Sequence, residues 1–213
     1  MLLPARCPVC HEAGRSPCPG CIGRLVAPAG EVPAVFAYEG VGRQLLVALK
    51  YRNGRSALPW LGRALAALVH PDRFDVVTWA PTHAARRRQR GYDQAELLAR
   101  AAAAALGAPC RNLLRRTDRA GPQTGRARAE RLVAPAFVTV SAYADAAGRR
   151  RVLVVDDVVT TGATLRAAVA ALQAAGTVHV EAVAAAATPR PGSPAPAPML
   201  SGPRRKGSAW RSA

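Results

Sequence analysis

Apolar and polar positions along this chain follow two different periods. Short apolar runs read as buried strands: VPAVFAY at Val32–Tyr38, VVTW at Val76–Trp79, Ala136–Val140, VLVV at Val152–Val155, and a last one over Val178–Ala186. Between them, apolar residues return every three or four positions. This predicts a helix within Gly42–Tyr51, another over Leu58–Val69 that ends before Pro71, a third over Gln94–Leu106 closed by Gly107, and a fourth over Leu165–Ala175 closed by Gly176. Strands that alternate with helices imply an α/β fold, a mainly parallel sheet flanked by helices in the Rossmann-like manner. Ligands of such sheets sit beyond the carboxyl ends of the strands, here the loops after Trp79 and Val155.

Residues 117–135 carry Asp, Gly, Pro, Gln, Thr and Arg with little apolar pattern, so a mobile loop is expected there, with plain disorder as the alternative. From Thr188 onward the chain is rich in Pro, Ser, Ala and Gly with scattered positive charge, as in a disordered tail. Three parts result: a small cysteine-bearing segment over 1–30, the α/β domain over 31–187, and the tail over 188–213.

Composition sharpens this picture. A chain of 213 residues can bury a core without disulfide staples. A charged fraction of 20% and a mean hydropathy of +0.02 exclude an acidic disordered chain. No strongly apolar stretch is long enough for a membrane span, and MLLPARCPVC lacks the basic-then-apolar pattern of a secretory signal, so a cytosolic location is expected. The net charge is +17, and 28 of the 30 basic residues are Arg. Residues 84–151 hold 15 basic against 5 acidic groups, net +10. A solvated basic surface accounts for this, and so does an anionic partner such as nucleic acid or a phosphorylated metabolite.

Four of the five cysteines, Cys7, Cys10, Cys18 and Cys21, form two CxxC pairs, C-P-V-C and C-P-G-C. Two such knuckles suit a tetrahedral, structural Zn²⁺ site with no open position; disulfides are the alternative, disfavoured in a reducing compartment. His11 follows Cys10 but four thiolates already fill the site. Cys110 reads as an ordinary half-buried thiol.

The densest chemistry lies in RVLVVDDVVTTGATL at 151–165. Asp156 and Asp157 stand at the carboxyl end of a buried strand, and Thr160, Thr161, Gly162, Ala163 and Thr164 open into a helix. Free N–H groups and the helix dipole at such a turn favour phosphate, and Gly lets the backbone approach closely. Carboxylates beside an anion cradle accept hydrogen bonds from hydroxyls or hold Mg²⁺, so the pair of features points to a sugar phosphate. A plain capping turn with solvated aspartates is the bland alternative.

VLVVDDVVTTGATL resembles the phosphoribosyl-pyrophosphate (PRPP) signature of type I phosphoribosyltransferases. With the four-cysteine knuckle, ALKYR at 48–52, APTHAARRRQRGYDQAELLA at 80–99 and PQTGRARAERLVAPAF at 122–137, the chain is similar to the ComF family, the competence-protein-F relatives, from about Cys7 to about Ala186. The resemblance implies a type I phosphoribosyltransferase-like fold. It implies that Asp156 and Asp157 hold the ribose hydroxyls and that Thr160, Thr161, Gly162, Ala163 and Thr164 cradle the 5′-phosphate, with Mg²⁺ on the pyrophosphate. Pro81, Thr82 and His83 would form the pyrophosphate loop, with charge from Arg86, Arg88 and Arg90, for which a solvated basic face is the alternative. Lys50 and Arg52 would bring further cations. Arg119, Gln123, Thr124, Arg126, Arg128 and Arg131 would lie on a loop that closes over the ligand and excludes water. Asp93 stands where the family usually has Asn, and Ala84 and Ala85 where it has Pro and Arg.

No side chain stands out as nucleophile or general base, which suits a transfer driven by positioning and electrostatics. The acceptor-binding region, around Ala185–Arg190, is small and apolar and names no acceptor. The competing expectation is a non-catalytic accessory protein of single-stranded DNA uptake or processing, with a helicase-type partner; the resemblance also suggests a homodimer. Ten aromatic residues are few for a base-stacking platform.

Overall fold

The computed structural model describes residues 5–51, 54–70, 73–117, 135–140 and 150–189. Its centre is a four-stranded, all-parallel sheet built from β1 (Ala34–Ala37), β2 (Val76–Trp79), β5 (Arg151–Val159) and β6 (His179–Ala187), in the spatial order β1-β6-β5-β2. β1, β2 and most of β5 and β6 are buried, as expected of strands covered on both faces.

Alternation along β5 shows what covers each face. Leu153 and Val155 pack with Val77, Trp79 and the helices α2 (Gly40–Tyr51), α3 (Leu58–Ala66) and α5 (Gln94–Leu106), through Leu45, Leu46, Leu49, Leu61, Leu65 and Leu98. Val152 and Val154 pack on the other face with α6 (Ala163–Ala174), through Leu165, Val169 and Leu172. That second face also takes Leu114 and Phe137, from an antiparallel pair, β3 (Leu114–Arg116) and β4 (Phe137–Thr139). Each fully buried Leu contributes roughly 1.5–3 kcal/mol. Small residues bring the helices close: a Cβ on Gly62 of α3 would collide with the Ala101 carbonyl oxygen of α5.

The cysteine segment is anchored on the α/β core. Cys7, Cys18, Cys21 and Leu25 are buried in the same cluster as α2, α3 and α5. The short helix α1 (Pro19–Ile22) holds the second CxxC pair, the Ser16 hydroxyl donates to Ser56 at 2.8 Å, and the Ala37 N–H donates to Val26 O at 2.9 Å.

Three features depart from the sequence pattern. β5 does not stop at Val155 but continues to Val159. Residues 84–90 form a helix, α4 (Ala84–Arg90), with no buried residue and so no apolar stripe to announce it. β3 and β4 pair across residues 117–135, where the sequence suggested only a loop. Most of that segment, including Arg119, Gln123, Thr124, Arg126, Arg128 and Arg131, lies outside the described residues, as do Arg52 and the tail from 190. Among the described residues no helix is long and apolar enough to cross a membrane.

Candidate functional site

The site begins with a mismatch in strand length. β2 pairs with β5 up to Trp79↔Val155, and the Ala80 N–H still donates to Val155 O at 3.1 Å. Pro81 then has no N–H to give, and the chain turns away. β5 runs on to Val159 while held by β6 on its other side. Residues 156–158 therefore project past the end of β2. Adjacent strand residues point to opposite faces, yet here both carboxylates reach one cleft, because the neighbour that would separate them has ended.

That cleft, open to solvent, is lined by Ala80–Thr82 after β2, Arg86 of α4, Asp93–Ala95 at the start of α5, Arg116 of β3, Asp156–Val158, and Thr164 of α6. Asp156 is 7% exposed. Its N–H neighbour on Asp157 donates to Asp156 Oδ1 at 2.7 Å. Burial first, and the Asp157 charge second, push its carboxyl well above the ordinary range. Asp157 accepts the Val158 N–H at 2.7 Å and forms an ion pair with Lys50 Nζ of α2 at 2.6 Å. The ammonium is also 6.0 Å from the centre of the Tyr38 ring.

Asp93 fixes the β2 loop. Its Oδ2 accepts the Thr82 N–H at 2.8 Å and its Oδ1 caps α5 through Ala95 N–H at 3.1 Å. Burial raises its carboxyl, opposed by those two N–H groups and reinforced by the Asp157 charge. Two acceptor oxygens serve two backbone donors, which a carboxamide in the same pose would not do.

The basic residues divide. Arg86 lines the cleft. Arg87 and Arg88 are exposed. Arg90 turns inward, donating to Gln94 Oε1 at 2.8 Å and to the Tyr51 hydroxyl at 3.2 Å. His83 caps α4, its Nδ1 accepting from Ala85 N–H at 3.3 Å. Tyr92 is an anchor whose hydroxyl donates to Leu49 O at 2.6 Å.

Thr160, Thr161 and Gly162 border a neighbouring hollow with residues 29–32, Arg166 and Thr188, whereas Thr164 faces the main cleft. Gly162 is the N-cap of α6 at φ +77°, a left-handed conformation suited to Gly. A Cβ there would lie 2.9 Å from Arg166 Nη1. The Thr161 hydroxyl accepts the Ala163 N–H at 3.4 Å, a partial version of the capping turn. Arg116 and Arg166 are lining residues that sequence reasoning missed. Arg166 had a signal, since a side chain in the first turn of a helix leans back toward its N-terminus. Arg116 had none without the β3–β4 pairing.

The cysteines form the second centre. Sγ atoms of Cys7, Cys10, Cys18 and Cys21 all lie within 4.8 Å of one another, Cys10 and Cys18 at 3.5 Å, and all are free thiols. Zn–S bonds of about 2.3 Å in a tetrahedron require sulfur separations of about 3.8 Å, so the set could hold zinc. Arg24 Nη2 donates to Cys21 Sγ at 3.2 Å, opposing the burial that raises that thiol. Cys110 stands apart, half-buried and pushed up to about 11 by burial, as befits an inert thiol.

Two outcomes follow. Purified protein should carry about one zinc ion per chain by elemental analysis, and Cys18→Ser should lose it and lower Tm; full folding without metal would contradict this. For Asp156, a folded-state pKa above the ordinary value makes its stability contribution largest in acid and lost as pH rises through the folded value. Asp156→Asn keeps Oδ1 and removes that loss. It should raise Tm at pH 8 by on the order of 3 °C, with the gain vanishing near pH 4. A gain that persists in acid would rule the account out.

Comparison with known proteins now bears on this geometry. The model of the phosphoribosyl transferase domain family matches residues 93–206. Among solved structures, the glutamine PRPP amidotransferase from B. subtilis, complexed with ADP and GMP, is 25% identical (TM-score 0.42; 62% of this chain and 26% of that one). Orotate phosphoribosyltransferase from Aeropyrum pernix is 22% identical (TM-score 0.35; 67% and 62%). Purine phosphoribosyltransferase from Pyrococcus horikoshii is 17% identical (TM-score 0.36; 60% and 70%). The chain thus spans about a quarter of the amidotransferase's length. No curated protein sequence matches it significantly. The family match begins at Asp93, takes in β5, its paired carboxylates and the Gly162 turn, and covers more than half of the chain, which belongs to the phosphoribosyl transferase domain family.

Proposed function

We propose that the cleft binds PRPP with Mg²⁺ and passes its phosphoribosyl group to a nucleophile, with diphosphate as the leaving group. The observation that carries this is the projection of Asp156 and Asp157 beyond β2, between the β2 loop and the N-terminus of α6. In this reading the two carboxylates accept the ribose hydroxyls. The Thr160–Thr164 turn offers backbone N–H groups to the 5′-phosphate, and Pro81, Thr82 and Arg86 border the diphosphate, with His83 holding α4 in place. Arg88 and Arg90 contribute positive potential rather than contact. Asp156 and Asp157 are also the carboxylates suited to Mg²⁺, which when bound neutralises leaving-group charge. Lys50 pairs with Asp157 at 2.6 Å and orients it. Bond breaking at C1 builds positive charge on the ribose, which the adjacent carboxylates stabilise without a general base. The residue ranges 1–30, 31–187 and 188–213 serve in this reading as zinc knuckle, transferase domain and tail.

Kinship with the ComF family is supported by the ordered set of knuckle, ALKYR, RRRQRGYDQAELLA and VVDDVVTTGATL. Calorimetry with PRPP and Mg²⁺ should detect binding to wild type, weakened at least ~10-fold in Asp156→Ala/Asp157→Ala. No binding in wild type, or none lost in the variant, would overturn the reading.

One observation favours a second role: α4 buries no residue and presents Arg86, Arg87 and Arg88 to solvent. This suits an accessory function on single-stranded DNA, alongside a helicase-type partner. Salt titration of single-strand binding should show a slope reduced by about 2 when all three become Ala. An unchanged slope would remove the role.

A further inference from the structure

Gln94, the first residue of α5, lines the cleft and is 2% exposed. Its amide orientation is fixed by its neighbour. Arg90 Nη1 donates to the Gln94 side-chain oxygen at 2.8 Å, and a guanidinium has no acceptor to offer the NH₂ end. Arg90 is itself held from the other side, by the Tyr51 hydroxyl at 3.2 Å and the Tyr51 ring at 5.2 Å. The Gln94 Nε2 is therefore a committed donor, buried, and without a hydrogen-bond partner among the described residues; Arg90 Nε is likewise buried without one. Buried donors in native proteins are almost always paired, so an orphan beside a polar cleft marks a missing acceptor.

The neighbourhood narrows the acceptor. Gln94 follows Asp93, whose carboxylate holds the Thr82 N–H of the β2 loop. It thus belongs to the β2 end of the cleft, which is also bordered by Arg86. An oxygen shared by the Arg86 guanidinium and the Gln94 NH₂ has to accept from both, as a phosphate oxygen does.

We propose that Gln94 is a binding residue for the diphosphate part of the substrate, its Nε2 donating to a non-bridging oxygen, with Arg90 as the positioning residue that engages the amide oxygen and so leaves the NH₂ end for the ligand. The proposal rests on the PRPP reading and adds to it a residue that discriminates the diphosphate end from the sugar end. Gln94→Glu retains the Arg90 contact and replaces the donor by a charged acceptor. Gln94→Met retains the volume and removes the donor. Calorimetry with Mg²⁺-pyrophosphate and, separately, with ribose 5-phosphate reads the two ends. Both variants should bind pyrophosphate about tenfold or more weakly and ribose 5-phosphate as wild type does. Arg90→Met, which frees the amide, should weaken pyrophosphate binding by a smaller factor and leave ribose 5-phosphate binding unchanged. Thermal melts identify any variant that fails to fold, and the remaining one then decides. Wild-type affinity for pyrophosphate in a folded Gln94 variant overturns the proposal, as does equal loss of both ligands. Wild-type protein that binds neither ligand overturns the PRPP reading itself.

Discussion

Asp156 and Asp157 bring two carboxylates to consecutive positions of β5, just past the end of its neighbour β2, where water is partly excluded. Charges so placed repel each other and lose hydration, and the rise of the Asp156 carboxyl expresses that cost. The surrounding elements answer it unequally. Lys50 neutralises Asp157 from α2. Asp156 receives one backbone N–H and no cation among the described residues' ion pairs. The site is thus left short of positive charge at one carboxylate, and a bound cation or a set of hydroxyl donors would relieve this.

That arrangement depends on where β2 ends. Had β2 matched β5 in length, Asp156 and Asp157 would face opposite sides of a continuous sheet and would not share a cleft. Pro81 stops the pairing, and Asp93 then fastens the departing loop to α5 through Thr82. α5 is in turn held against α3 at the contact of Gly62 with Ala101, where a methyl group would not fit. Loop, helix and sheet edge are positioned by one chain of contacts, which runs from a packing constraint in the helical layer to the carboxylates.

The parts of this that were legible in the sequence are those that local pattern encodes. β5, the Gly162 turn and α6 follow each other within 24 residues, and apolar runs, a β-branched strand and small turn residues announce them in order. Clustering of the four cysteines was legible for the same reason, because CxxC spacing fixes local geometry. α4 was not, since a helix that buries nothing has no apolar period. The role of Asp93 looked like a departure from a family pattern and emerged as a double acceptor only when the β2 loop and the start of α5 were seen together. Arg116 enters the cleft through a strand pairing between segments more than twenty residues apart, a non-local contact that no window of sequence contains.

The charge of the middle third also divides once positions are known. Arg86 and Arg116 face the cleft, while Arg90 is spent on Gln94 and Tyr51, and Arg100 pairs with Glu96 at 2.8 Å. Arg151 pairs with Asp75 at the amino end of the sheet, away from the site. A polyphosphate ligand would meet only the first two of these directly. Arg87 and Arg88 have no such assignment on the exposed face of α4. A high net charge is therefore a poor measure of how much of it a ligand meets: the fold has internalised part of it, and what α4 leaves in solvent is a separate surface with its own chemistry.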